Sequence, residues 1–322
     1  MKTFFKAILV ASLLIAIFCT CSYCWGFWAH QRINRMAVFS VHPDMFGFFK
    51  HHIDYLTTHA VDPDKRRYAM EGEAACHFID LDRYGDHPLD SIPQRWKDAV
   101  EKYTEDTLMA HGIVPWHIEK MMYRLTNAFK EKNFTKVLKY AADLGHYIGD
   151  AHVPLHCTQN YNGQLTGQHG IHGFWESRVP ELLGEEYDYL TGRCRYIPNP
   201  LKEAWRIVAD SYQAHDSVLT FEKLLSSKFP ADRKYAYEQK GNVTVKVYSR
   251  EYAIAYDQML NGMAERRMRE AIIMVASFWY TAWVNAGQPV LDYDFEISAD
   301  SVDVIPPGEP GKWKLKVKGH ED

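Results

Sequence analysis

The chain has 322 residues, of which 47% are hydrophobic and 14% aromatic, so it can bury the core of one large domain. Its formal net charge is −4, from 37 basic and 41 acidic residues, and it contains no long basic run. These values exclude a strongly basic protein that captures duplex nucleic acid by charge alone.

The first 24 residues have the pattern of a secretory signal peptide. Two lysines precede an apolar run over residues 7–18, which is too short to span a bilayer comfortably. The small-residue rule for cleavage then predicts that Trp25 becomes the first residue of a secreted or periplasmic protein. The alternative is a lipoprotein signal acylated on Cys19 or Cys21, although the residues before these cysteines make a poor lipobox.

Three cysteines remain after this cleavage, namely Cys76, Cys157 and Cys194. Because the number is odd, at most one internal disulfide can form in the exported chain. The sequence therefore predicts that disulfides are not the scaffold of the fold, and it leaves open whether one pair forms.

Apolar residues recur at spacings of three and four along much of the chain, which predicts a helical protein. The predicted helical segments are residues 93–134, 135–151, 200–227 and 250–286. Residues 271–284 are apolar nearly all round, which predicts a buried central helix that is too short to cross a bilayer. No glycine-rich phosphate loop follows a strand, so no nucleotide cofactor is expected.

The composition changes after Gly287, where β-branched alternation mixes with a cluster of proline and glycine. This predicts a short irregular or β tail over residues 291–322. The predicted architecture is thus mostly α, with one helical domain over residues 25–290.

The segment LGHYIGDAHVPLHC contains a His-x-x-x-Asp pair, His146 and Asp150, which lie on one face of a helix. HGFWE repeats the spacing with His172 and Glu176, and His156 lies between the two pairs. Imidazole nitrogens and carboxylate oxygens are ligands that zinc accepts, and sites with little thiolate are more often catalytic than structural. A single such pair is more often an ordinary hydrogen bond, so the prediction of a metal site depends on their combination.

Six sequence blocks occur in an order that resembles a known superfamily, and they extend from Trp25 to about Gly287. The blocks are WGFWAH, HAVD, HF, HYIGDAHVPLH, HGFWE and RRMREAIIMVASFWYTAWVNAG. Their order resembles the superfamily of zinc-dependent phospholipases C and the fungal and plant single-strand-specific zinc nucleases. The resemblance implies a mostly helical domain with three zinc ions in one cleft.

The resemblance also implies which residues would hold these ions. The first zinc would be bound by Asp62, His77, His146 and Asp150. The second would be bound by His156, His172 and Glu176. The third would be bound by the free amino group and carbonyl of Trp25, by His30 and by Asp150, which would then bridge two metals.

Two residues of HAVDPDK have a competing interpretation. The family pattern favours Asp62 over Asp64, whose other role would be a turn carboxylate. Lys65 stands where the nucleases commonly carry an arginine, and it would join Asp62 and Asp150 as a catalytic residue by stabilising the charged transition state. A solvated surface lysine is the alternative.

The implied activity is hydrolysis of a phosphodiester by a hydroxide that bridges two zinc ions. A phospholipase C, with transient contact to a membrane surface, is the preferred interpretation, because of the glutamate of HGFWE and the short interval from His156 to His172. The tryptophan of HGFWE and the five-residue step from Trp25 to His30 favour a nuclease for single-stranded DNA or RNA. A zinc-binding module without catalysis is the third interpretation.

Overall fold

The computed structural model describes residues 26–292, Phe295 and His320. This part of the chain is mostly α-helical, as predicted, and it has one sheet of two strands. The predicted signal peptide, Trp25 and nearly all of the predicted tail lie outside the described residues. The predicted domain limits therefore stay predictions.

Helices of one to eight turns pack around a common core. The longer α-helices are Phe27–Ala37, Pro43–His51, Ile53–Thr58, Trp96–Tyr103, Glu105–His111, Val114–Lys130, Phe134–Ala151, Pro200–Lys228, Arg250–Met259 and Met263–Asn285. The shorter ones are Asp62–Arg66, Pro88–Ser91, Ile171–Gly173 and Val179–Leu183, with a π-helical turn at Phe174–Arg178. Single 3-10 turns are Val38–Ser40, His59–Val61, Ala74–His77, Leu81–Tyr84, Pro154–Cys157 and Gly184–Glu186.

Two of the predicted helical segments are broken where the backbone turns to positive φ. Within residues 93–134, helices end at Thr104 (φ 70°) and Gly112 (φ 86°). Within residues 250–286, the break falls at Asn261 and Gly262, with φ of 53° and 66°. Apolar periodicity continues across these breaks because both sides face one core, so it does not reveal them.

The helix Phe134–Ala151, called the ligand helix below, runs through the core, with every residue except Phe134 and Lys136 buried. It packs against Val114–Lys130, Met263–Asn285 and the N-terminal helix Phe27–Ala37. The N-terminal helix comes so close that a Cβ at Gly145 would lie 2.0 Å from Asn34 Oδ1. The absence of a side chain at Gly145 therefore permits the close approach of the two helices.

The helix Met263–Asn285 carries the predicted apolar run, and most of its residues from Ala271 to Trp283 are buried. Trp279 donates its indole N–H to the carbonyl of Ala141 on the ligand helix at 2.9 Å. Among the described residues, no helix has the length and apolar character needed to cross a membrane.

A β-hairpin was not predicted from the sequence. Strand Tyr235–Lys240 pairs antiparallel with strand Val243–Tyr248, and Tyr235 lies opposite Tyr248. The alternation in VTVKVY and the positive φ of Gly241 (59°) are the signals that indicate it. The three cysteines of the described chain are free, which agrees with a scaffold that does not depend on disulfides.

Candidate metal centre

Buried histidines and carboxylates from distant parts of the chain gather around the C-terminal half of the ligand helix. They form three groups, two of which share His146. Within each group the ligand atoms lie within 4.8 Å of one another, so each group could hold a metal ion. The groups are His30, Asp64 and His146; His77, His146 and Asp150; and His156, His172 and Glu176. The structure thus brings together all described residues predicted as ligands except Asp62.

The first cluster forms around one oxygen of Asp150. Oδ2 lies 2.9 Å from His77 Nδ1 and 3.2 Å from His146 Nε2, and these two nitrogens are 3.1 Å apart. Ligands about 2.0–2.1 Å from a tetrahedral zinc lie about 3.3 Å from one another. The observed separations are therefore close to those of ligands around a single ion.

The other oxygen of Asp150 faces a different histidine. Oδ1 lies 3.3 Å from His30 Nε2, and the His30 ring stacks on the His146 ring with 3.9 Å between centroids. Gly149 permits this approach, because a Cβ there would lie 3.1 Å from His30 Nδ1. The two oxygens of Asp150 thus point to two sets of nitrogen atoms, as in a carboxylate that bridges two metals.

The second cluster consists of His156, His172 and Glu176. Glu176 Oε2 lies 3.1 Å from His172 Nε2 and 3.3 Å from His156 Nε2. His172 and Glu176 are four residues apart on a helical segment that includes the π-helical turn Phe174–Arg178. Because π-helical turns are rare and often occur at functional sites, this turn marks the segment as a candidate functional region.

Hydrogen bonds to backbone carbonyls fix the orientation of two rings. His146 donates its Nδ1–H to Ala60 at 2.9 Å, and His156 donates its Nδ1–H to His77 at 2.7 Å. A carbonyl can only accept, so Nε2 of each ring is left as the metal-facing atom. His152, by contrast, bonds to the carbonyl of Ile148 at 2.7 Å and lies outside the clusters, as expected.

The choice of Asp62 as a ligand is corrected by the structure. Asp64 is only 4% exposed, and its Oδ1 lies 3.6 Å from His146 Nε2 and 3.8 Å from His77 Nδ1. Asp62 instead bonds to His59 at 2.5 Å and to Lys65 at 2.9 Å near the surface. Residues two apart on a helical turn point about 200° apart, so only one of the two aspartates can face the clusters.

The structure also disagrees with the predicted catalytic role of Lys65, because this residue lies on the same exposed side as Asp62. Its side chain is 54% exposed and forms a surface pair with Asp62. Arg67, three residues after Asp64, is 7% exposed and is a cation close enough to lower the pKa of His77, after the larger effects of burial and Asp150. The sequence contains two Asp-x-x-basic pairs with the same spacing. The pair that is buried in the structure is Asp64 and Arg67.

The electrostatics keep two of the carboxylates ionised. Burial by itself would raise the pKa of Asp150, but His146 and His156 outweigh it and hold this pKa well below the usual value. Burial would also raise the pKa of Glu176, but His172 and His156 lower it to about 2. Ionised carboxylates at this depth need compensating cations.

Two of the histidines are in the form that binds metal. Burial lowers the pKa of His30 to about 4, with a further contribution from His146. Burial also lowers the pKa of His77 to about 3, although Asp150 opposes it. Both rings are therefore neutral at pH 7, and neutral imidazole is the metal ligand.

Several buried atoms of the clusters have no hydrogen-bond partner among the described residues. They are both carboxylate oxygens of Asp64, both of Glu176, Oδ1 of Asp150 and Nε2 of His156. Leaving such atoms unsatisfied costs free energy, more so for charged groups. The residues present therefore fit metal ions as the missing partners.

A polar network behind the first cluster holds its parts together. Arg66 donates to Asp143 on the ligand helix at 3.3 Å and to Glu73 at 3.4 Å. Tyr147 donates its hydroxyl to Glu73 at 2.5 Å. The network joins the turn that carries Asp64 to the ligand helix, so it keeps this aspartate in place.

An aromatic slot, formed by Phe78, Tyr161 and Asp80, adjoins the clusters and was missed in the sequence. It is filled by the ring of His320, whose centroid lies 5.9 Å from the ring of His156. The rings of Phe78 and Tyr161 stack on that ring at 4.0 and 3.9 Å. Asp80 Oδ1 lies 2.7 Å from its Nε2.

One signal for the slot was present in the sequence. Phe78 and Asp80 follow the metal-facing His77 directly, in HFID. Burial raises the pKa of Asp80 to about 7, opposed by His111. Tyr161 and His320 had no local signal, because they reach the slot from other parts of the chain.

The described centre therefore combines the neutral imidazoles of His30 and His77, the ionised carboxylates of Asp150 and Glu176 and a buried arginine beside an aromatic slot. This combination can bind divalent metals and an anion, with a flat ring next to the anion. Comparison of the chain with protein-family models and with curated proteins gives no match.

Proposed function

We propose that the protein is a zinc-dependent hydrolase of phosphodiester bonds with three zinc ions. The observation that carries this proposal is Asp150, whose two oxygens face separate sets of histidine nitrogens at 2.9–3.3 Å. Sites in which metals share a carboxylate are well suited to phosphoryl chemistry. The resemblance to the zinc phospholipases C and nucleases supports the same activity.

When bound, the zinc ions would supply Lewis acidity to a phosphodiester, whose hydrolysis in water is slow. The residues of the chain would hold the ions in position and determine the net charge of the site. Three divalent ions would carry six positive charges against the three carboxylates of Asp64, Asp150 and Glu176. The remaining positive charge would attract a phosphate anion and favour its more highly charged transition state.

Arg67 replaces Lys65 as the proposed cation for the substrate. Its guanidinium donates to the backbone carbonyl of His320, so it already binds an oxygen at the edge of the slot. A phosphoryl oxygen could accept the same hydrogen bond, with the added attraction of opposite charge. Lys65 has no comparable position, because it pairs with Asp62 at the surface.

The aromatic slot favours single-stranded nucleic acid as the substrate. Phe78 and Tyr161 cover both faces of a planar ring, and Asp80 accepts a hydrogen bond from the ring edge. A nucleobase has these faces and N–H donors, whereas an acyl chain has neither. Bases in a duplex are stacked and paired, so a single strand is the form that could use the slot.

A phospholipid remains the second candidate, on one specific observation. The second cluster uses Glu176 as its carboxylate, where the resembling nucleases usually place an aspartate. The sequence alone favoured the phospholipase because of this glutamate and the short interval from His156 to His172. Because the aromatic slot suits a nucleobase, we prefer the nuclease over the phospholipase.

The mature chain beginning at Trp25, supplied with zinc, is assayed in parallel on single-stranded DNA and on phosphatidylcholine vesicles, with a chelator control. We expect zinc-dependent hydrolysis of the DNA. Tyr161→Ala should lower kcat/KM for DNA by about 5- to 150-fold, because base stacking contributes about 1–3 kcal/mol. Tyr123→Ala, which removes a 70% exposed tyrosine, is the matched control and should have no effect.

Turnover of phosphatidylcholine without turnover of DNA would contradict the nuclease and support the phospholipase. Turnover of neither, by protein that holds three zinc ions, would contradict both and support a zinc-binding module without catalysis.

A further inference from the structure

His320 is only 2% exposed, although it is distant along the chain from the residues that surround it. The ring is held on both faces and at one edge by the aromatic slot, and Arg67 binds the backbone carbonyl. The slot residues it meets are between 159 and 242 positions away along the chain. His320 thus occupies the slot next to the candidate metal centre.

We propose that His320 is an intramolecular inhibitor that takes the place of a substrate base in the aromatic slot. The inference rests on the proposed function, since it treats the slot as part of the substrate site. The imidazole resembles a base in three respects: it is flat, it is aromatic, and it presents a nitrogen to Asp80 at 2.7 Å. The carbonyl bound by Arg67 takes the position proposed for a phosphoryl oxygen.

The fit of His320 to the slot is incomplete. Its Nδ1 is buried and has no hydrogen-bond partner among the described residues. An unsatisfied buried nitrogen weakens binding, so a larger ring with more matching groups can displace it. Two described imidazole rings, of His156 and His172, lie beside it at 5.9 and 6.2 Å, so occupation of the slot also limits access to the second cluster.

Attachment to the same chain makes this weak ligand effective. A tethered group has an effective concentration of about millimolar, so moderate intrinsic affinity is enough to fill the slot most of the time. A substrate that needs the empty slot then binds with an apparent affinity reduced by the fraction of molecules in which the slot is free. The inhibition should therefore appear in KM and leave kcat unchanged.

The test compares the mature chain with His320→Ala by steady-state hydrolysis of a single-stranded oligonucleotide. We expect KM to fall about tenfold, which corresponds to a slot that is open about one tenth of the time. The value of kcat should stay the same. His87→Ala, which removes an exposed histidine outside the slot, is the matched control and should leave KM unchanged.

A second measurement does not depend on activity. Carboxypeptidase is added to a zinc-loaded chain of residues 25–322, and the loss of residues up to and including His320 is followed by mass spectrometry. Trimming through His320 should be slow in the wild-type chain and faster in Tyr161→Ala, or when adenosine 5′-monophosphate is added. Faster trimming without any DNA hydrolysis would overturn the nuclease while supporting occupation of the slot.

An unchanged KM in an active His320→Ala enzyme would overturn the proposed inhibition. Equal trimming of the wild-type chain and Tyr161→Ala would overturn occupation of the slot itself.

Discussion

Replacing Asp150 with alanine should lower the zinc content of the purified protein by more than one ion and reduce kcat/KM about 1000-fold. Asp150 is fully buried, and its two oxygens face His77 and His146 on one side and His30 on the other. In the proposed centre, its loss would remove a ligand from two ions together. Metal ions contribute several kcal/mol of transition-state stabilisation, and about 4 kcal/mol corresponds to this factor.

Zinc content is measured by mass spectrometry of the metal, and activity is measured on single-stranded DNA. Asp150→Asn keeps the shape of the side chain and separates loss of the ligand charge from loss of packing. Asp90→Ala, at an exposed aspartate, is the control. Full activity of Asp150→Ala, or loss of no zinc, would refute the bridging role.

Asp64→Ala should lose one zinc ion, and its kcat/KM should fall at least about 100-fold. Asp62→Ala should keep its zinc content and its kcat/KM. Substitution of residues that only support metal ligands typically costs 10- to 100-fold, so a direct ligand should cost at least as much. Asp64 is 4% exposed beside His77 and His146, while Asp62 pairs with Lys65 near the surface. The two variants are matched in residue type and in their place on one short helix.

Metal analysis and steady-state kinetics on both variants decide between the two aspartates. Loss of zinc from Asp62→Ala, with zinc retained by Asp64→Ala, would restore the assignment made from the sequence. It would also remove the reason to prefer Arg67 over Lys65.

The helical pairs of the site could be predicted because their geometry is local. A spacing of four on a helix places both side chains on one face, and the structure places His146 and Asp150 with 3.2 Å between ligand atoms. His172 and Glu176 follow the same rule at 3.1 Å. The ligand helix was also predictable, because its apolar spacing and the Asn133 cap define where it begins.

The local sequence was not sufficient to choose between Asp62 and Asp64 as the metal ligand. Both aspartates lie in a five-residue helix, and each has a basic residue three positions later. What separates them is the side of the helix that packs against the ligand helix. That side is determined by contacts such as Arg66 with Asp143, which are 77 positions apart.

The aromatic slot shows the same limit over a longer distance. Asp80 and His320 are 240 positions apart, and no periodicity relates them. The C-terminal segment was expected to be a tail beside the domain. One of its residues instead lies against the rings that border the candidate metal centre.

The most direct test of a metal centre shared through Asp150 is X-ray diffraction at the zinc absorption edge, from crystals of the chain beginning at Trp25 grown with zinc. We expect three anomalous peaks. Two should lie about 2.0–2.2 Å from different oxygens of Asp150, and the third should lie among His156, His172 and Glu176. The absence of an anomalous peak within coordination distance of Asp150 would contradict the metal centre.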